Sequence, residues 1–169
     1  MKLQLNIDAS EDDDPQSFLC LFSPSAVKNL ERVFQEELPL FCPEIDRYAQ
    51  VEISLSFLNG SEMRKINESH RDADEPTDVL SFPLWEDQGR FVPQGLPELL
   101  PLGDILVCPE EVRRIHCSLP YREALCLVLA HGFLHLLAWD HDTPEKEQAM
   151  WERQASLKSK LLNALQEVR

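Results

Sequence analysis

Three of the five histidines fall within eleven residues, in the segment His131-Gly-Phe-Leu-His135-Leu-Leu-Ala-Trp-Asp-His141. Imidazole is a borderline-soft nitrogen donor that suits zinc and similar ions. On a helix, positions four apart lie on one face with Cβ atoms roughly 5–6 Å from each other. His131 and His135 can therefore reach one ion through metal–nitrogen bonds of about 2.0–2.1 Å. His141 follows six residues later, far enough for the helix to end and the chain to turn back. From Ala124 to Trp139 the sequence is apolar apart from Gly132 and these two histidines. A helix apolar all round is a buried one, and buried imidazoles need a hydrogen bond or a metal.

The spacing H-x3-H-x5-H equals that of the long zinc-protease motif, with two differences. Gly132 stands where those enzymes carry a general-base Glu, and Ala138 where they carry a turn Gly. Three histidines still form an open zinc site with a fourth position for water. A closed structural site is disfavoured, since such sites take four protein ligands. The missing base argues against an ordinary metallopeptidase.

The elements that must position these residues follow from periodicity. Lys2–Asp8 and Val51–Leu58 alternate apolar and polar residues, as half-buried strands do. Thr77–Leu84 and Leu102–Cys108 are two more strands, with Asp104 near the start of the last. Ala9–Ser17 is an acidic loop. Ala26–Leu38 is an amphipathic helix with a Ser-Pro start, ended by Pro39 and Pro43. Ser61 caps a short helix through His70, and Glu86–Leu100, with two Pro and two Gly, is an irregular excursion. Pro109, Pro120 and Thr143-Pro144 open three helices, the last with Met150, Leu157, Leu161, Leu165 and Val168 on its core stripe. The order β-α-β-α-β-β-α-α-α predicts an α+β fold. It is one domain over residues 1–169, a mixed four-stranded sheet around a central buried histidine-bearing helix, with other helices flanking it.

Composition narrows the class. The net charge of −14 argues against indiscriminate nucleic-acid binding, DNA included. It leaves room for a local basic groove from Arg64, Lys65, Arg71, Arg113, Arg114 and Arg122, with Glu11–Asp14 set apart. No uncharged apolar run reaches eighteen residues, so no membrane span or membrane partner is expected. The first residues lack a cleavable apolar region, which makes the cytoplasm the default location. Cys20, Cys42, Cys108, Cys117 and Cys126 form no C-x-x-C pair and read as reduced, buried small hydrophobes. Cys126, about 140° round the helix from His131, is a poor co-ligand.

Two further stretches stand out: Arg71 with Pro76-Thr-Asp-Val-Leu-Ser-Phe-Pro83, and Leu102-Gly-Asp-Ile105. In order and separation, these and His131–His141 resemble the YbeY family of bacterial endoribonucleases and rRNA maturation factors, over roughly residues 50 to 155. The resemblance implies that His131, His135 and His141 hold one Zn²⁺ per chain. It implies that Arg71 is the functional arginine facing the metal cleft. It further implies a metal-dependent endoribonuclease that cuts single-stranded RNA, matures the 3′ end of small-subunit (16S) rRNA and serves ribosome quality control, with the small ribosomal subunit or its proteins as partners. The chain departs from the family pattern at Ala138 and Trp139, where Gly and Tyr or Phe are usual, and at His70, where Tyr is usual. His70 and Arg71 are the expected substrate contacts, the ring of His70 stacking on a base or the cleft wall. If position 138 needs a left-handed backbone, Ala costs roughly 1–2 kcal/mol there. Asp140 and Asp142 flank His141; either can orient a ligand, with helix capping preferred for Asp142. Proton transfer has no assigned residue. Two other readings compete: a zinc peptidase or other metallohydrolase, and a zinc-containing ribosome-assembly factor that cuts nothing.

Overall fold

In the computed structural model the elements that frame the site follow one another in the order β-α-β-α-β-β-β-β-α-α-α, with a 3-10 turn before the second strand. The structure describes residues 1–9 and 22–166. The acidic loop expected over Ala9–Ser17, the Glu11–Asp14 run, Cys20 and Val168 lie wholly or mainly outside the described residues.

Four strands form the main sheet: β1 (Lys2–Ala9), β2 (Gln50–Phe57), β6 (Leu99–Val107) and β3 (Val79–Pro83), in that spatial order. β1, β2 and β6 run parallel, while β3 is antiparallel to β6. Along β2 every second residue is buried, Val51, Ile53, Leu55 and Phe57, as the two-residue period of a strand requires. The register of β2 against β6 slips at Glu52/Ile53, next to Gly103. Gly103 has φ 136°, and a Cβ there would lie 2.1 Å from the Phe82 carbonyl oxygen, so only glycine fits this bulge.

Helix α1 (Pro24–Phe41) starts where Ser23 Oγ accepts the Ala26 N–H at 3.3 Å. Pro39 does not end it, contrary to the sequence expectation. It sits in the last turn, and the Cys42 N–H closes that turn on the Leu38 carbonyl at 3.0 Å. A 3-10 turn, Pro43–Arg47, follows. Helix α2 (Gly60–Arg71) is capped two residues earlier than Ser61, by Asn59. The Asn59 side chain accepts the Glu62 N–H at 3.0 Å and Glu62 returns the bond to the Asn59 N–H, a reciprocal capping box.

The stretch expected to be irregular holds a small hairpin, β4 (Glu86–Asp87) with β5 (Arg90–Phe91). Its turn residues Gln88 and Gly89 have φ 51° and 73°, the left-handed values a tight hairpin demands. β6 begins at Leu99, earlier than expected, so Asp104 sits exposed in mid-strand rather than at the strand entry.

Helices α3 (Pro109–Ile115), α4 (Tyr121–Leu136) and α5 (Pro144–Gln166) complete the chain. α4 packs on β3 and β6 and is covered by α5, which also contacts α1. Phe133 of α4 stacks on Phe34 of α1 with ring centroids 4.6 Å apart. Burying such a ring contributes roughly 1.5–3 kcal/mol. Met63 of α2 packs with Leu80 and Cys108 on the opposite face of the sheet, so β3 lies between the histidine helix and α2. Among the cysteines, Cys108 and Cys126 are buried, but Cys117 is exposed and Cys42 half-buried, because both lie in connections rather than in the packed layers. No helix among the described residues is long and apolar enough to cross a membrane.

Candidate metal centre

Gly132 explains how α4 comes so close to the sheet. A Cβ at this position would lie 2.9 Å from Ile105 Cγ2 and 3.1 Å from Ser81 Oγ. The glycine therefore lets the helix settle on β3 and β6, and a peptidase-type glutamate has no room there.

The last turn of α4 closes in a Schellman motif. The Trp139 N–H donates to the Leu134 carbonyl and the Ala138 N–H to the His135 carbonyl, both at 3.0 Å. Ala138 has φ 59°, the left-handed conformation that this motif gives to glycine in most helices. The reversal brings His141 back over the helix end. There the Asp140 carboxylate accepts the His141 backbone N–H at 2.8 Å and so shapes the turn rather than orienting the ring. Asp142 does not cap α5. It pairs with Lys146 at 2.8 Å, and Thr143 Oγ1 accepts the Lys146 N–H instead.

One nitrogen from each of His131, His135 and His141 lies within 4.8 Å of the others. The Nε2 atoms of His131 and His135 are 3.0 Å apart. Tetrahedral ligands with zinc–nitrogen bonds of 2.0–2.1 Å would sit about 3.3 Å apart. Gln154 of α5 fixes the tautomer: its Oε1 lies 2.9 Å from His131 Nδ1, which donates to it and leaves the Nε2 lone pair for an ion. Burial, the largest cause, pushes the His131 pKa down; burial followed by the two neighbouring imidazoles pushes that of His135 down to about 4. Both rings are thus neutral donors near pH 7. Three facing lone pairs, one of them oriented by an outer hydrogen bond, fit a divalent ion such as zinc.

The histidines open onto a cleft of about 430 Å³ whose opposite wall is the α2–β3 connection. That wall is held by two contacts: Arg64 grips Asp74 through two bonds of 2.6 and 2.7 Å, and the buried Asn67 amide donates to the Glu75 carbonyl at 2.7 Å. Arg71, the last residue of α2, faces this cleft and the groove beside it. Its guanidinium makes no hydrogen bond or ion pair among the described residues, whereas Arg47, Arg64 and Arg114 are each held by a carboxylate. His70 is not brought into the cleft. Its exposed ring stands edge-on to Phe82 with centroids 4.9 Å apart.

The family model described as Endoribonuclease YbeY matches residues 23–162. The chain belongs to the YbeY family. Every residue of the cleft lies inside that match. Among YbeY relatives, a Thermoanaerobacter protein named Endoribonuclease YbeY is 31% identical over 140 residues, 79% of this chain and 88% of the relative. A Shouchella clausii protein of the same name is 36% identical over 121 residues, 68% and 74% of the two chains. In fold, the chain is similar to the solution structure of a Thermotoga maritima protein, with TM-score 0.58 and 24% identity over 95% of this chain and 90% of that one.

Sequence reasoning missed two cleft features. Gln154 lies ten residues into α5 and 23 residues from its partner His131. No local signal marks it. His116, which no sequence motif marks, lines the cleft as well, its Nε2 bonded to Asp78 at 2.8 Å. Asp78 accepts local hydrogen bonds from the Thr77 hydroxyl and the Val79 N–H, and it also holds His116 across 38 residues.

Proposed function

We propose that this chain is a single-domain, zinc-dependent endoribonuclease that cuts single-stranded RNA, with His131, His135 and His141 as ligands of one Zn²⁺ and Arg71 as the catalytic arginine. Membership of the endoribonuclease family gives the reaction class. The observation that carries the rest is the pairing, across one cleft, of three neutral imidazoles with an arginine that no carboxylate holds. Zinc, when bound, supplies positive charge that polarises a phosphoryl oxygen and acidifies water. Arg71 presents a permanently charged planar fork that matches two phosphate oxygens and stabilises the charge that builds on them at the transition state. Gln154 keeps His131 in the ligating tautomer. The exposed ring of His70, edge-on to Phe82, would offer a base a stacking surface outside the cleft.

The setting we propose is 3′-end maturation of small-subunit rRNA and ribosome quality control in the cytoplasm, a reading that the match to an endoribonuclease family supports. The net charge of −14 supports a partner with basic surface, such as a small-subunit protein, that brings the RNA to the cleft. The same charge favours one alternative, an assembly factor that binds a ribosomal particle and cuts nothing. A peptidase is disfavoured by the packing of Gly132.

The deciding experiment incubates zinc-loaded protein with an end-labelled single-stranded RNA, beside His135→Ala and Arg71→Ala prepared identically. Cleavage by the wild type alone, with zinc content retained in Arg71→Ala, is the expected result. Equal cutting by all three would mean a contaminating nuclease. No cutting by zinc-bound wild type, with binding to small subunits intact, would favour the assembly factor.

A further inference from the structure

A histidine bound to a metal is not a proton carrier while it remains a ligand, so the three-histidine site leaves the proton transfers of RNA cleavage unfilled. The cleft contains another imidazole. His116 follows α3, and its Nε2–H donates to Asp78 Oδ2 at 2.8 Å. The other oxygen of Asp78 accepts from the Val79 N–H at 2.9 Å and the Thr77 hydroxyl at 3.1 Å, so the carboxylate is clamped at both ends. The side chains of His116 and Asp78 are only 22% and 18% exposed. His116 Nδ1 has no hydrogen-bond partner among the described residues, and it is not a buried atom left unsatisfied. It is open to solvent.

An imidazole with one nitrogen fixed by a carboxylate and the other open is how a proton carrier is oriented in many hydrolases. A plain ion pair on the surface needs neither the shielding nor a shared cleft with an arginine and three metal-ligating rings. The charged and titratable groups around the pair are known. Arg71 ends α2, Glu75 lies in the α2–β3 connection, Arg114 on α3 is held by Glu111, and His131 faces them from α4.

We propose that His116 is the residue that transfers the proton in this chain's RNA cleavage, with Asp78 as its positioning residue; the proposal rests on the endoribonuclease reading above. As the phosphorus–oxygen bond to the leaving nucleoside breaks, its electron pair stays on the departing oxygen. That oxygen takes the proton from His116 Nδ1 and leaves as a hydroxyl. The ring, now neutral, keeps Nε2–H on Asp78. It regains a proton from the attacking hydroxyl, whether water or the 2′-hydroxyl of RNA, as that oxygen bonds to phosphorus. The balance is one O–P bond broken, one formed and one proton relayed, with Asp78 a carboxylate throughout.

The test compares two RNAs on zinc-loaded protein. One is ordinary. In the other, sulfur replaces the bridging oxygen that the wild-type products show to be the leaving atom. A thiolate departs without a proton. His116→Ala should lose about 10²–10⁴-fold on the oxygen substrate, keep its zinc, and come within about tenfold of wild type on the sulfur substrate. Asp78→Asn should lose less, with its pH–rate profile displaced from that of the wild type. If His116→Ala does not fold, His116→Gln gives the same comparison without a transferable proton. An equal loss on both substrates would overturn the proposal and leave His116 a structural residue, as would no loss on either. Inactivity of zinc-bound wild type on both RNAs would instead overturn the endoribonuclease reading, and the proposal with it.

Discussion

Gln154 is the smallest unit on which the proposed metal centre depends beyond its three histidines. By accepting from His131 Nδ1 at 2.9 Å it selects the tautomer whose Nε2 faces His135. Gln154→Leu should weaken zinc binding about 10–100-fold with the fold retained, as read by competition against a chromophoric chelator. Unchanged affinity would mean that the ring is oriented by packing alone. His135 links the same site to pH. Burial, then the neighbouring rings, hold its folded pKa at about 4, against roughly 6.5 in an unfolded chain. Between those values the unfolded chain binds the proton and the folded one does not. The stability present above pH 6.5 is therefore lost as pH falls toward 4, by about 1–3 kcal/mol in metal-free protein. Chemical denaturation of chelated protein across that window should show the decline, and His135→Ala should flatten it.

At the scale of elements, α4 is set by two small residues with opposite consequences. Gly132 sits against Ile105 and Ser81 with no space for a methyl group, so Gly132→Ala should destabilise by about 1–3 kcal/mol and displace His131 and His135 from β3. Denaturant midpoints and zinc affinity should both fall. Ala138 bears the left-handed turn with φ 59°. Ala138→Gly relieves strain of roughly 1–2 kcal/mol and gives back about 0.4–1 kcal/mol through the freer unfolded chain. A net gain of up to about 1 kcal/mol, with zinc binding preserved, is the expected result; a net loss would show that the turn carries no strain. Both residues occupy positions where the long zinc-protease motif has something else. The structure gives the reason at each: the sheet is too close for Glu, and the helix still ends in the same way without Gly.

For the molecule as a whole, the net charge is −14 and Arg64 and Arg114 are taken up by carboxylates, so the proposed RNA contact rests on few cations. Each neutralised phosphate of a single strand adds about −0.7 to the slope of log K against log salt concentration. With Arg71 and the zinc-loaded cleft as the main contacts, a slope of about −0.7 to −2 is expected, measured by fluorescence anisotropy with a non-cleavable RNA analogue. A slope near −5 would reveal a basic track elsewhere.

The sequence by itself determined what depends on near neighbours. His131 and His135 are co-directed because four residues make about one helical turn. Strands β1 and β2 follow from alternation, β3 and β6 from short apolar stretches, and the opening of α4 from Pro120. Boundaries failed where a local rule met a local competitor. Asn59, not Ser61, reached the N–H groups of α2, and Pro39 was tolerated because α1 was already in its last turn. Only the tertiary structure decided the strand order β1-β2-β6-β3, the approach of Gly132 to Ile105, the clamp of Gln154 on His131 and the joining of Asp78 to His116. Those contacts span 23 to 38 residues in the cases of Gln154–His131 and Asp78–His116. Sequence periodicity fixes which face of an element is apolar, but not which partner meets it. That choice is made when the elements pack and buried polar groups must find one another.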